Sequence, residues 1–433
     1  MAEDFLYFLW QFQYFRTTDL RTVEGETLRV IHPGYRNPDS GPDFTQARLL
    51  VGNVEWVGTV EAHIRAGYWL LHRHHQDRAY DNVILHIVWD QEAVVLKRSD
   101  GSVIPTLCLS ERVERSLLYR YQTLLAEAGT IPCAGRIGDV ESLRRTAMFD
   151  KVLLQRLERK AAGVMDLFRM AGQDWEETTY RLLAAAFGFQ VNAEPFEQVS
   201  RQVPLKILHK HRDNLLQIEA LLFGTAGLLN DAEPDAYQAT LLREYGFLAV
   251  KYQLTAKQVP AHSWKWARLR PANFPTLRLA QFAKLLTYKN SLFSLLIETD
   301  ESAALLRHLQ VTPSVYWQTH YRFGKSSDTV LATLGQASAE NLLINVVLPL
   351  LVAYSHHKDQ PDYRERAVAL LEQLPAENNR VTRVWQELGI PIQTAFDSQA
   401  SIELYKNYCQ TKQCLSCQIG VSLLKGCPKT MGS

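Results

Sequence analysis

The stretch from Gly41 to Trp89 constrains this chain more than any other. Phe44 to Val51 and Val54 to Ile64 are rich in β-branched and apolar residues, and Gly52-Asn53 between them is a hairpin signal. Val83 to Trp89 carries apolar or β-branched residues on both faces and reads as another strand. Thr27 to His32 adds one ahead of the turn residues His32-Pro33-Gly34 and Asn37 to Pro42. Tyr68 to Tyr80 fits a helix, and Ala93 to Lys97 with Val103 to Leu107 fits a trailing hairpin around Ser99-Asp100-Gly101. Phe5 to Phe15, FLYFLWQFQYF, is expected to form a buried amphipathic helix. The order is therefore helix, three strands, helix, strand, hairpin.

From Ser110 onward the pattern turns helical almost throughout. Leu143 to Ala171, Glu176 to Phe187, Leu205 to Leu229, a segment opening at Glu233-Pro234-Asp235, Thr276 to Ile297, Asn341 to Tyr354, Tyr363 to Leu374 and Val381 to Leu388 follow the helical period. No fixed-length repeat emerges, which argues against a solenoid. A chain of 433 residues can bury more than one core. The expected class is α+β: a mixed N-terminal sheet with flanking helices over residues 1–110, a mostly α-helical domain over 111–407, and a small four-cysteine module over 408–433. A net charge of +1 gives no global attraction for polyanions, so any such attraction must be local. Neither Phe5 to Phe15 nor Leu342 to Tyr354 is long enough to span a bilayer, and Glu3 and Asp4 stand where a signal peptide carries Lys or Arg. The expected location is the cytoplasm, with no membrane partner.

The stretch that sets the sheet also gathers acids and imidazoles. Residues two apart on a strand share a face, so Glu61 and His63 project together and Ala62 points the other way. Asp43 heads the preceding strand and can bring a second carboxylate to the same end. Two carboxylates converging there suit Mg²⁺ or Mn²⁺, which take hard oxygen ligands and keep positions for water and phosphate. On this reading Asp43 and Glu61 hold the ion, His63 orients or deprotonates water, and His86 stands behind them. The bland alternatives are a turn cap for Asp43 and a hydrogen-bonded core position for His86. A helix would put His72 and His75 on one face and His74 elsewhere. A solvated polar face is expected there, rather than a three-histidine zinc site.

The element order, with Pro42-Asp43 at the second strand and Glu61-Ala62-His63 in the third, resembles the PD-(D/E)XK nuclease core. In that comparison His63 takes the place of the family's lysine. The resemblance implies a restriction-endonuclease-like sheet over 1–110, metal held by Asp43 and Glu61, and His63 positioning or polarising the attacking water. An imidazole is a weaker electrostatic partner for phosphate than an ammonium. At a wider scale NPDSGPDF (Asn37 to Phe44), GTVEAH (Gly58 to His63), DNVILHIVW (Asp81 to Trp89), RPANFPTLRLAQFA (Arg270 to Ala283) and CLSCQIG (Cys414 to Gly420) resemble the uncharacterised bacterial DUF2851 family. That resemblance implies no activity.

Between Glu244 and Glu298 there is no acidic residue. This interval, 245–297, carries Lys251, Lys257, Lys265, Arg268, Arg270, Arg278, Lys284 and Lys289, interleaved with Trp264, Trp266, Phe274 and Tyr288. Cations beside flat rings can hold a phosphate backbone and stack exposed bases, so Trp264, Lys265, Trp266, Arg268, Arg270 and Arg278 are the expected nucleic-acid contacts. The alternative is an aromatic core with a solvated cationic face. Cys409, Cys414, Cys417 and Cys427 cluster near the C-terminus, the central pair two residues apart, and are expected to hold Zn²⁺ or, with a slight preference, a 4Fe–4S cluster in a structural role. Cys108 and Cys133 are expected in the core. Together these features point to a metal-dependent nuclease or phosphodiesterase acting on nucleic acid, DNA or RNA. The rivals are a non-catalytic nucleic-acid-binding protein whose nuclease-like domain is inactive, and a protein-interaction scaffold.

Overall fold

The computed structural model describes residues 3–425 except 38, 91, 93, 128, 289, 290, 329 and 331. It is a mixed α and β structure in two compact units, Met1–Met148 with Leu404–Ser433, and Phe149–Glu403. The first unit thus takes in residues beyond 110 and the C-terminal segment.

In the first unit, α1 (Glu3–Phe12) buries Phe5, Leu6, Phe8, Leu9 and Trp10, and its Glu3 and Asp4 face the positive end of the helix dipole. It lies against a six-stranded sheet, in which Trp10 Nε1 donates to the Pro33 carbonyl at 2.8 Å. The strands are β1 (Leu28–His32), β2 (Tyr35–Arg36), β3 (Phe44–Val51), β4 (Val54–Arg65), β5 (Val83–Asp90) and β6 (Thr106–Cys108). Their order is β1-β3-β4-β5-β6, with β2 also paired to β3. β1, β2 and β4 all run antiparallel to β3, whereas β4, β5 and β6 are parallel. Gly52, at φ +57, supplies the positive dihedral that the two-residue β3–β4 turn requires.

The β4–β5 crossover departs from the expected helix. Only α2 (Tyr68–Leu71) is α-helical, followed by single 3₁₀ turns at His74–Gln76 and Arg78–Tyr80. Arg73 breaks the helix in the left-handed region at φ +62, and the Asp77 carboxylate caps the second turn by accepting from the Ala79 N–H at 2.9 Å. α2 buries Trp69 in a cluster with Ala66, Val83, Val88, Leu96 and Ile104. The trailing hairpin turns at Ser99-Asp100-Gly101, with Lys97 bridged to Val103 and the Ile104 N–H donating to the Leu96 carbonyl at 3.0 Å, and Thr106–Cys108 then joins the main sheet beside β5. Leu107 is buried in the core there.

α3 (Arg115–Ala126) follows, and α4 (Ser142–Met170) gives its opening turns, to Met148, to the first unit. The second unit is almost wholly helical. Two expected long helices are each split in two: Asn214 caps Leu215–Thr225 after Leu205–His209, and Ser291 caps Leu292–Glu298 after Pro275–Leu285. A side-chain oxygen that bonds a free N–H starts a new helix more favourably than it continues an old one. Gln336–Lys358 is longer than its apolar core and, by length and composition alone, could cross a membrane. In its most apolar window 67% is buried within the structure, as in a core helix.

Candidate metal centre

Parallel pairing of β4 with β5 sets Glu61 opposite His86 and His63 opposite Val88, so Glu61, His63 and His86 share one face of the sheet. The crossover closes over that face. His63 Nδ1 lies 2.8 Å from His86 Nε2, and His63 Nε2 lies 3.2 Å from His72 Nδ1. Glu61 Oε1 is 3.5 Å from His63 Nε2 and 3.6 Å from His74 Nε2. Among the described residues His63, His72 and His74 form the one trio of potential ligands whose donor atoms all lie within 4.8 Å of each other. The left-handed Arg73 is what turns His72 and His74 to a common side; His75, expected to share a face with His72, is outside the trio.

Asp43 and Glu61 do meet, but through the backbone. Glu61 Oε2 accepts from the Asp43 N–H and Asp43 Oδ2 from the Ala62 N–H, each at 3.0 Å. Asp43 Oδ1 takes Arg36 Nη1 at 3.2 Å, and Tyr7 bonds the same carboxyl group while its ring lies 3.8 Å beneath the Arg36 guanidinium. Both Asp43 oxygens are therefore engaged by protein donors. Glu61 Oε1 is the oxygen that faces the imidazoles.

Burial governs the charges here. His86 is 0% exposed, His63 2% and Glu61 5%. Burial, then the neighbouring His74 and His72, pushes His63 down to about 3. Burial and His72 bring His74 down to about 4, and burial and His63 hold His86 well below the ordinary imidazole range. Burial and the Asp43 carboxylate raise Glu61 to about 8, and burial raises Asp43. Crowded neutral imidazoles beside a carboxylate short of positive charge are a donor set suited to a cation. Ligands about 2.0–2.1 Å from a tetrahedral zinc stand about 3.3 Å apart. The His63–His72 contact at 3.2 Å and the Glu61 contacts at 3.5 and 3.6 Å lie near that spacing, and the imidazole trio as a whole spans up to 4.8 Å. His86 would hold the ring of His63 from behind; its Nδ1 is buried without a partner. His72 is exposed, which opens this side to solvent.

A family model described as a protein of unknown function, DUF2851, matches residues 3–380. The chain belongs to that family. No curated protein and no solved structure is significantly similar to this DUF2851 chain.

The other expected contacts of the DUF2851 chain are only partly brought together. Trp264 is buried, donates from Nε1 to the Ala226 carbonyl at 2.7 Å and packs edge-on to Phe196. Arg278 is buried over the Phe189 ring and bonded to Gln281, Asn273 and Ser338. Trp266 is half-buried with Arg322 stacked on it at 4.4 Å. Trp264 and Arg278 are thus buried within the fold, and Trp266 is partly covered. Lys265, Arg268 and Arg270 are exposed, and Asn192 pins the Lys265 backbone at 2.8 and 3.0 Å. Lys289 and Cys427 lie outside the described residues. Cys409, Cys414 and Cys417 are buried in the first unit. Sequence reasoning weighs a zinc site for the crossover histidines and prefers a solvated face, because the dihedral that unites His72 and His74 falls on an arginine and has no compositional signal.

Proposed function

We propose that this chain is a metal-dependent phosphodiesterase acting on nucleic acid, with its ion held by Glu61, His63, His72 and His74. The observation that carries the reading is the gathering of three imidazoles within 4.8 Å of one another beside β4, with the Glu61 oxygen next to two of them, His63 and His74. The order of α1, three antiparallel strands, crossover and parallel β5 agrees with the nuclease-like resemblance of residues 1–110 and supports the substrate class. Three imidazoles favour a borderline ion such as Zn²⁺ over Mg²⁺. His63 is then a ligand rather than the stand-in for lysine. When bound, such an ion lowers the pKa of water and offsets charge on a phosphoryl oxygen.

The chain's own groups do the positioning. Asp43, clamped by Arg36 and Tyr7, fixes the turn of backbone that holds Glu61 Oε2 and so aims Oε1. His86 orients His63. Arg73, exposed between His72 and His74, offers a guanidinium to an incoming phosphate. The test is hydrolysis of bis(p-nitrophenyl) phosphate and of single- and double-stranded DNA and RNA by EDTA-stripped protein given Zn²⁺, Mn²⁺ or Mg²⁺ in turn. Restored cleavage that falls about 100-fold or more in Glu61→Gln is expected. Cleavage indifferent to metal, or undiminished in that variant, rejects the proposal.

The nucleic-acid partner draws support from the exposed cations Lys265, Arg268 and Arg270. Replacing all three with alanine should lower the slope of log affinity against log salt by about 2 to 3 for oligonucleotides. An unchanged slope, measured by fluorescence anisotropy, removes this loop from the binding surface.

A further inference from the structure

Cys133 is more than 270 residues from the C-terminal cysteines in sequence, yet the fold brings it to them. It directly precedes the 3₁₀ helix Ala134–Asp139, and Cys417 directly precedes the helix Gln418–Lys425; these two helices pack on one another. Pro132, Gly135 and Arg136 line the same small cleft as Leu423 and Leu424, and Arg120 of α3 donates to the Leu424 carbonyl at 2.8 Å. Cys414 is pressed against the terminal helix: a Cβ on Gly420 would come within 2.3 Å of the Cys414 carbonyl oxygen. Cys409 closes the π turn Tyr405–Cys409, and the Lys412 ammonium, bonded to the Leu125 carbonyl at 2.7 Å, anchors the next loop to α3. Cys133, Cys409, Cys414 and Cys417 are each 7–8% exposed, and all belong to the first unit. The Cys409 thiol feels the other three, and Cys133 feels Cys417 and Cys414, so each is pushed up after burial by its neighbours.

Four cysteine side chains from three separate stretches of chain, gathered at one packed seam, match the four-thiolate donor set that a structural metal centre takes. Their spacing discriminates between centres. Zinc at about 2.3 Å from each sulfur would draw all four to within about 3.8 Å of each other. Among the described residues no three of these sulfurs lie within 4.8 Å of one another. That wider setting suits a cube of iron and sulfide, held by four cysteines through its corner irons.

We propose that Cys133, Cys409, Cys414 and Cys417 are the ligands of one four-iron, four-sulfide cluster that fastens the C-terminal segment to the region after α3. The four thiols release their protons as Fe–S bonds form, with iron and sulfide supplied from outside. The site is independent of the histidine centre, and Cys427 is not needed to complete it.

The full chain, purified without oxygen, should be brown, bleach with dithionite, and carry about four iron and four sulfide per chain. Cys133→Ala should lose that colour and iron, whereas Cys427→Ala should keep both. Should Cys133→Ala fail to fold, iodoacetamide labelling of the wild-type chain read by peptide mass spectrometry decides. Cys133 should be protected in the loaded protein and alkylated, together with Cys409, Cys414 and Cys417, after the iron is chelated. Full iron in Cys133→Ala, zinc in place of iron in the wild-type chain, or Cys133 labelling that ignores iron removal each overturns the proposal.

Discussion

Replacing His63 with alanine is expected to abolish Zn²⁺ binding and, on the function proposed above, phosphodiester hydrolysis with it. His63 is the hub of the site: its Nε2 faces His72 and Glu61, and its Nδ1 faces His86. Without it, His72 loses its hydrogen-bond partner on the sheet and His74 keeps only the Glu61 carboxylate. The change leaves a small residue on a strand whose other face is unaltered, so circular dichroism should stay close to wild type. A graded companion is His86→Leu, which keeps every ligand but removes the partner that fixes the His63 ring. A fall of about 10–100-fold in metal affinity is expected there. Isothermal titration with Zn²⁺ measures both. Unaltered affinity in His63→Ala contradicts the account.

Trp69→Ala should cost about 3–5 kcal/mol of stability, the usual range for deleting a large buried aromatic. Trp69 is fully buried, donates from Nε1 to the Lys97 carbonyl at 3.2 Å, and meets Tyr80, His74 and His86 edge-on at 5.9, 5.3 and 5.6 Å. The same indole thus fills the core beneath the crossover and braces two imidazoles of the candidate centre. Its loss should lower the urea midpoint and weaken zinc binding together, while Trp69→Phe should show a smaller loss of both. A Trp69→Ala chain within about 1 kcal/mol of wild type contradicts this assignment.

Much of the first unit is legible in the residues. The β3–β4 hairpin follows from its β-rich runs and Gly52-Asn53, and period-2 spacing places Glu61 and His63 on one face. His86 joins them because β5 pairs in parallel, a consequence of the crossover between the strands. His72 and His74 were assigned to different faces because helical phase was carried through Arg73, whose left-handed backbone resets it. Asp43 was legible as a neighbour of Glu61, but its engagement by Arg36 and Tyr7 depends on where α1 and β2 pack. The basic interval shows the same limit: composition marks Trp264 and Arg278 but not their burial. Cys133 was out of reach for local spacing, since helix packing alone brings it to Cys414 and Cys417.

X-ray absorption spectroscopy on the zinc-loaded chain tests the central claim most directly. Three imidazole nitrogens and one carboxylate oxygen at about 2.0–2.2 Å are expected, with one imidazole contribution lost in His72→Ala. An all-oxygen shell unchanged in that variant would place the ion on the two acids alone, and the account of this centre would be wrong.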